Sequence, residues 1–500
     1  MYIIAYDLGT GGVKAALYDE ALKAVSKSFI EYPIYFPSDG FHEQRPGDWW
    51  NGIKESTLSL ISRTGIDTDL IGAVSISGQS LTGIPVDSAG RCLQESVPIW
   101  TDQRAKVEAQ EFFSVVNQKH WYETTGNGFP AYLYTIFKMM WLKKHFPDIY
   151  SQTAYFLGSK DFINFRMTGN IMTDYSYASG TGGYNLRSGR YEKAFWDAAG
   201  LDMDKLPPIV SSDTCVGTLL TDAARQLSLS EKTKVFCGGV DNACMALGAT
   251  GVTDGAAYVS LGSSSWIPVT SSAPVIDYAT KPYVFAHIDE SMYTSAYSIF
   301  AGGSSLRWAR DTLFSDFNEN AYARIDRLAM QSPAGSNGVL FNPTLAGGTS
   351  QDKSENIKGG FAGITLSTTR SDLARSVLEG IALNLRQSLT LLKKRVPVSE
   401  TIQFCGGGSR SRVWLQLFAD IFNCRVVKTN IDQDTASLGA AAIAAKGCRL
   451  ISSYDVIRTL HHIETECVPD QEAVRIYDGI FSNFQSLSDY LADFGDCIAT

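Results

Sequence analysis

Two short segments half a chain apart constrain this sequence more than any other feature. Asp7-Leu8-Gly9-Thr10-Gly11-Gly12-Val13-Lys14 follows a brief apolar opening, and Ser260-Leu261-Gly262-Ser263-Ser264-Ser265 follows Ala256-Ala257-Tyr258-Val259. Each reads as a strand entering a tight turn of Gly with Ser or Thr, where small residues let backbone N–H groups and hydroxyls converge on an anion. No G-x-x-x-x-G-K-[ST] loop occurs, and Lys14 stands where the last glycine of G-x-G-x-x-G would be, so neither of those devices is present. Either turn alone reads more readily as an ordinary hairpin. Its recurrence points to a polyphosphate held between two similar lobes.

Bulk properties narrow the setting. Five hundred residues exceed what one hydrophobic core supports and suit two large domains. With 44% hydrophobic and 19% charged residues the chain has the makeup of a globular protein rather than a disordered one. The net charge of -9 argues against nucleic acid or an anionic membrane as partner, since clustered Lys and Arg hold both, and it favours a small-molecule substrate. Tyr2-Ile3-Ile4-Ala5-Tyr6 after Met1 has strand length with no basic flank or cleavage site, and no apolar stretch nears the ~18 residues of a membrane span. Nine cysteines without C-x-x-C pairs fit reduced thiols, so a cytoplasmic location is expected. The six histidines lack metal-ligand spacing, and no structural zinc is expected.

The order of periodic segments is α/β with a mixed sheet. Strands are expected over residues 3–6, 13–18, 30–36 and 73–76, and Pro46-Gly47-Asp48 leads into a helix over 49–62. Helices are expected over 108–117 and 131–145, the second with an apolar face and with Lys138, Lys143 and Lys144 outside it. The second half repeats the theme: a strand at 235–238, a hairpin over 256–270, a strand at 402–405, and helices at 304–313, 370–394, 412–421 and 436–446. The joint is placed near residues 243–253, giving domains 1–244 and 245–500.

A strand-Asp-x-Gly-Thr turn with an outgoing strand, followed by a second such unit, resembles the layout of the sugar kinase, Hsp70 and actin superfamily. That resemblance implies two actin-like (ribonuclease H-like) ATPase domains with an interdomain cleft for the nucleotide. Longer motifs narrow it. Phe41-His42-Glu43-Gln44-Arg45-Pro46-Gly47-Asp48-Trp49-Trp50 is similar to W-x-E-Q-[DN]-P-x-[DE]-W-W, with Phe41 in place of the usual aromatic. Thr135-Ile136-Phe137-Lys138 through His145 follows the first signature of the FGGY carbohydrate kinases, with Leu133 off-pattern. Gly359-Gly360-Phe361-Ala362-Gly363-Ile364 through Glu379 follows the second without departure. The resemblance covers nearly the whole chain and is greatest to the xylulokinases of that family.

It implies ATP and Mg²⁺ as cofactors and assigns roles by motif. Gly238-Gly239-Val240-Asp241-Asn242-Ala243 resembles G-G-x-D-N-A, whose Asp is the catalytic base; a helix N-cap is the plainer reading of such an Asp. A carboxylate with the usual pKa near ~3.9 suffices for a late proton transfer. Asp7 would orient Mg²⁺, usually through water. Thr10, Gly11 and Gly12 would face the γ-phosphate, with Lys14 either adding charge or standing as an exposed strand residue. Gly262 and Ser263 resemble the G-T pair of the second phosphate turn. Gly406, Gly407, Gly408 and Ser411, with Trp414 and Gln416, resemble the adenosine-binding G-G-G-x-x-S-x-x-W. Ala436-Ser437-Leu438-Gly439-Ala440-Ala441-Ala442 reads chiefly as a tight helix contact.

For the sugar, Ser77-Gly78-Gln79-Ser80-Leu81-Thr82-Gly83 stands in the place of the xylulokinase G-Q-M-H-G loop, with Ser80-Leu81 for Met-His. Losing His removes a donor and Leu81 makes that wall apolar. Trp100 and Asp102 fit W-x-D-x-R as an aromatic wall and a hydroxyl acceptor, and Gln79, Asn127, Tyr132, Asn242 and Asp241 complete the candidate sugar set. The Asn342-Pro343-Thr344-Leu345-Ala346-Gly347-Gly348 loop lacks the E-R pair of many relatives. The resemblance thus implies an ATP-dependent kinase for a small sugar, a ketopentose such as D-xylulose first, with ribulose, fuculose, gluconate or a polyol as alternatives. A sugar-sensing relative without turnover is the rival, which the retention of Asp7, Lys14 and Asp241 opposes. A homodimer is compatible with the resemblance.

Overall fold

The computed structural model describes residues 1–300 and 302–499. The chain packs as two units, one of Met1–Val252, Val284–Thr294 and Asp434–Leu460, the other of Thr253–Tyr283, Ser295–Gln433 and His461–Thr500. A single cut after residue 244 therefore differs from the packing: the chain through Val252 stays with the first unit, and residues 434–460 return to it.

In the first unit β1 (Tyr2–Leu8), β2 (Gly12–Tyr18) and β3 (Ala24–Glu31) form an antiparallel meander, and β4 (Ile71–Gly78) lies parallel to β1. β5 (Cys215–Thr218) and β6 (Lys234–Phe236) extend the sheet, β6 parallel to β4 and β5 antiparallel at the edge. β7 (Gly239–Val240) pairs with the end of β4. The order is β5-β6-β4-β1-β2-β3. The Pro46–Thr64 helix starts with proline at its first turn, stops at left-handed Gly65, and buries Trp49, Ile53 and Leu60 in this unit's core. The Thr435–Gly447 helix packs on β1 and β4 and against the Asp241–Thr250 helix. There the backbones nearly touch: a Cβ on Gly439 would lie 2.0 Å from the Cys244 carbonyl oxygen, and one on Gly248 1.8 Å from that of Thr435. The small residues of that helix serve the close contact.

A second sheet, of β8 (Ala257–Leu261), β9 (Ser265–Ser271), β10 (Tyr283–Ala286), β11 (Tyr293–Ile299), β12 (Thr401–Cys405), β13 (Arg425–Thr429) and β14 (Ile463–Cys467), has the order β10-β11-β9-β8-β12-β13-β14, and β9, β8, β12, β13 and β14 belong wholly to the second unit. The run β11-β9-β8-β12-β13-β14 repeats β3-β2-β1-β4-β6-β5, down to the antiparallel strand at the edge. Its core is separate and is filled by the Arg370–Lys393 helix, which opens with a Thr369–Asp372 capping box. Glu379 of that helix, buried, accepts from Tyr477 Oη at 2.7 Å, Arg375 Nε at 2.7 Å, Ser336 Oγ at 2.8 Å and the Gly335 N–H at 3.0 Å. Asp372 and Glu379 of the second signature thus hold loops to the helix. Among the described residues no helix is long and apolar enough to cross a membrane.

Candidate functional site

The first turn is closed by the Gly9 N–H donating to the Gly12 carbonyl at 3.1 Å. A Cβ on Gly12 would come within 2.5 Å of the Ile30 carbonyl oxygen, whereas one on Gly11 would meet nothing within 4 Å. Gly12 is therefore required by packing on β3, and Gly11 leaves its backbone open to an approaching group. Asp7 and Lys14 face each other in the β1–β2 register with 3.9 Å between carboxylate and ammonium. Burial raises the Asp7 pKa; Lys14 and the Ser77 hydroxyl, which donates at 3.1 Å from β4, oppose that rise. Thr10 Oγ1 accepts from the Trp100 indole N–H at 2.8 Å, and the Thr10 carbonyl accepts from Gln44 Nε2 at 2.7 Å. The Thr10 hydroxyl proton stays available for an anion.

Asp241 is the first residue of the Asp241–Thr250 helix; Val240 is the N-cap, so Asp241 is not the cap residue. Its half-buried carboxylate accepts from the Asn242 N–H at 2.8 Å. Burial, and then the negative charge of Asp7, push its pKa up to about 7 against the relief given by the backbone donors. This corrects the ordinary value expected from the sequence. A carboxylate near neutrality takes a proton from a hydroxyl far more readily than one at the usual value.

The loop after β4 is held at Gln79 and Leu81. Gln79 is fully buried: its Nε2 donates to Gln44 Oε1 at 2.8 Å, and its carbonyl accepts from Ser159 Oγ at 2.7 Å and Tyr177 Oη at 3.1 Å. Ser80 is buried, and Leu81, 1% exposed, holds a left-handed backbone with φ of 61°. A leucine there is uncommon and strained. Lys138, expected on the outside of its helix, is instead buried and donates to the Leu81 carbonyl at 3.0 Å and the Ile99 carbonyl at 2.6 Å; burial pulls its pKa down to about 7. That helix is also shorter than expected, running over Thr135–His145. Asp102 is fully buried, and both of its oxygens are engaged: Oδ2 accepts from the His42 N–H at 2.7 Å and Arg104 at 2.8 Å, Oδ1 from the Arg104 side chain at 2.8 Å and its N–H at 3.1 Å. The expected hydroxyl acceptor is thus committed to Arg104, which also reaches Glu43 at 2.6 Å. Asn127 is buried, with its amide on the Ser179 carbonyl at 3.0 Å; Asn242 and Tyr132 are half-buried.

In the second unit, Gly262, Ser263, Gly407, Gly408 and Ser411 line one cavity of about 570 Å³, together with Arg307, Tyr322, Asp326, Arg410 and Trp414. That volume suits a nucleoside-sized ligand. The three glycines differ in purpose. Gly406, at φ 89°, lies so close to β8 that a Cβ would be 2.8 Å from the Leu261 carbonyl oxygen. Gly408 packs on Leu261 and the Trp414 ring, while a Cβ on Gly407 would meet nothing within 4 Å. Ser411 caps the Arg412–Phe422 helix, accepting from the Trp414 N–H at 3.0 Å, and hydrogen-bonds Asp326, whose pKa burial raises. Trp414, 2% exposed, is a floor rather than a free ring, and Gln416 is occupied by Asp420 and the Val468 carbonyl. The turn is seated on the Gly302–Leu313 helix through Gly262 and Ser263 carbonyls accepting from the Gly303 and Ser304 N–H groups, each at 2.9 Å. Arg307 of that helix donates to Ser263 Oγ at 3.2 Å, and Ser305 fixes the altered 342–348 loop through the Pro343 carbonyl at 2.8 Å.

The FGGY family of carbohydrate kinases matches by its N-terminal domain over residues 2–248 and by its C-terminal domain over 257–448. The xylulose kinase of Bacillus subtilis (strain 168) is 31% identical over 503 residues, covering 99% of this chain and 98% of its own. The chain belongs to the FGGY family of carbohydrate kinases. Two solved structures from Lactobacillus acidophilus, a ligand-bound xylulose kinase and a gluconate kinase, each align with a TM-score of 0.91 at 28% identity over 98% of both chains. As an FGGY kinase it is a sugar phosphotransferase, and the family takes ATP as phosphate donor.

Sequence reasoning overlooked several groups at these sites. Ser77 and Gln44 lie within the quoted motifs but are given no role by them, and their bonds to Asp7 and the Thr10 carbonyl supply one. Arg307 and Asp326 sit on helices with no signature, and only the cavity brings them beside the glycine turn.

Proposed function

We propose that this FGGY kinase transfers the γ-phosphoryl group of ATP to a hydroxyl of a ketopentose, D-xylulose first. The sugar oxygen attacks the γ-phosphorus, the bond to the β–γ bridging oxygen breaks, ADP departs, and the hydroxyl proton passes to Asp241. The observation that carries this reading is Asp241 itself, half-buried at a helix N-terminus with its pKa pushed up to about 7. Thr10, Gly11, Gly12 and Lys14 meet the γ-phosphate. Within the second unit, Gly262, Ser263 and the cavity around Gly407, Gly408 and Ser411 are read as the nucleoside site.

Among the described residues no group of three or more His, Cys, Asp or Glu could hold a metal alone. Asp7 fits Mg²⁺ in the manner of an ion that keeps its waters and shares phosphate oxygens, because its buried carboxylate is only partly compensated by Lys14. When bound, Mg²⁺ would neutralise charge on the phosphates.

D-xylulose is supported by the relatives named xylulose kinase, and gluconate is the second reading because a gluconate kinase aligns equally well. Leu81 bears on the choice. The experiment is an ATP-consumption assay over pentuloses, hexuloses, polyols and aldonates, followed by Ser80→Met/Leu81→His. His tolerates a left-handed backbone better than Leu and restores a donor, so kcat/KM for D-xylulose should rise about tenfold. A wild type that ignores D-xylulose and phosphorylates gluconate would replace the first reading with the second; efficient D-xylulose turnover untouched by the double change would remove this loop from substrate choice.

A further inference from the structure

Lys160 is fully buried among two carboxylates, with Asp161 at 2.6 Å and Asp174 at 3.0 Å from its ammonium. Neither partner is at the surface, and no step of the proposed transfer uses any of the three. A buried ion cluster of this kind contributes little stability beyond what well-packed apolar groups would give, so its geometry is the part that needs explaining. The ammonium also donates to the Cys237 carbonyl at 3.2 Å, a carbonyl shared with Asn164 Nδ2 at 2.8 Å. Asp174 accepts from the Ser176 N–H at 3.0 Å, from the Ser176 hydroxyl and from Ser212 Oγ at 2.9 Å. Ser176 Oγ, its proton given to Asp174, accepts from the Val240 N–H at 2.9 Å.

The stretch from residue 237 to residue 240 is thus pinned at both ends by one buried cluster: Lys160 holds the Cys237 carbonyl, and Asp174 holds the Val240 amide through Ser176. Between the pins lies Gly238, at φ 74°, where a Cβ would be 2.1 Å from the Ile76 carbonyl oxygen. The next residue is Asp241. We infer that Lys160, Asp174 and Ser176 are positioning residues for the Asp241 carboxylate, fixing the backbone that aims it. This rests on the reading of Asp241 as the base. Proton transfer is sensitive to placement, and a shift of about 1 Å can lower turnover by ~100-fold. The cluster reaches Asp241 only along the main chain, so its loss should affect the chemical step and leave ligand binding in place.

The test compares Ser176→Ala, Asp174→Asn and Asp241→Asn in the full chain for kcat, sugar KM, ATP KM and thermal midpoint. Ser176→Ala removes the acceptor of the Val240 N–H with the least change in volume; it should lower kcat by about 10–100-fold while both KM values stay within about twofold. Asp174→Asn keeps the shape and weakens the hold on Lys160, and should show the same kcat-only pattern. Ser176→Ala with wild-type kcat, beside an inactive Asp241→Asn, would overturn the inference and leave the base standing. Loss of kcat, both KM values and thermal midpoint together in both variants would make the cluster a general support of the fold and overturn it too. An active Asp241→Asn would overturn the base itself.

Discussion

The turn after β1 and the turn after β8 sit at the same place in sheets of the same strand order, yet the first has a carboxylate–ammonium pair within its hairpin, whereas the second draws its cation, Arg307, from a neighbouring helix. Asp7 faces Lys14 across the first hairpin, whereas the second puts Ser260 opposite Trp266 and Leu261 opposite Ser265. The parallel strand beside each repeats the contrast: Ser77 donates to Asp7, while Ser260 hydrogen-bonds Cys405. The backbone device is duplicated and the electrostatics are not. In the proposed transfer the first turn would carry the charged groups of its own hairpin, and the second would hold its ligand through backbone donors, hydroxyls and Arg307. Donors placed by a rigid backbone suffice for binding, whereas moving a phosphoryl group depends on charges aimed at where charge develops.

The sharpest break would come from Asp241→Asn, which keeps the size of the side chain and removes its ability to accept a proton. Turnover should fall by about 10³-fold or more with ATP affinity within twofold, measured by steady-state kinetics and nucleotide titration. Asp7→Ala comes next: kcat should fall by about 10²-fold and the Mg²⁺ concentration for half-maximal rate should rise, and an unchanged Mg²⁺ dependence would detach Asp7 from the metal. Removing a hydroxyl from the second turn, in Ser263→Ala, should raise the ATP KM by about fivefold and leave kcat alone, since one lost hydrogen bond is worth about 1 kcal/mol. A larger effect on kcat than on KM there would erase the distinction between the turns.

The smallest effect is on stability. Burial raises Asp241, so the folded chain keeps a proton that the unfolded chain releases at the ordinary carboxylate pKa. Folding is therefore penalised increasingly as pH climbs from about 4 to about 7, and fully above that. Asp241→Asn should stabilise the metal-free protein by ~2 kcal/mol at pH 8, a discount on the ~4 kcal/mol of the whole shift because the carboxylate is half-buried, and by almost nothing near pH 4. Thermal midpoints at the two pH values check the sign; a gain at pH 4 that vanishes at pH 8 would contradict it.

The sequence made the strands nearest both turns legible because each is a continuous apolar run ending in glycine. It also marked Gly262, Ser263, Gly407, Gly408 and Ser411, which do meet in one cavity. The third strand was misplaced: residues 30–36 contain Pro33 and cannot ladder freely, and the strand is Ala24–Glu31, whose half-exposed alternation gives a weak signal. Lys138 was misread because a lysine at a helical position reads as surface; only the carbonyls of Leu81 and Ile99, from distant segments, make it an interior residue. The same holds for Asp102, whose saturation by Arg104 and the His42 amide depends on three-dimensional neighbours. The pKa of Asp241 was out of reach for the same reason, since burial is a property of the fold and not of the motif.

The return of residues 434–460 to the first unit has a consequence for biosynthesis. The Thr435–Gly447 helix covers β1 and β4 and meets the Asp241–Thr250 helix backbone to backbone. Until that helix has emerged, the part of β1 and β4 on which it packs lacks its cover. The first unit begun is thus completed only after most of the second has been made, and a nascent chain halted before Thr435 would present the strand surface that this helix covers to whatever chaperone or neighbouring chain it meets.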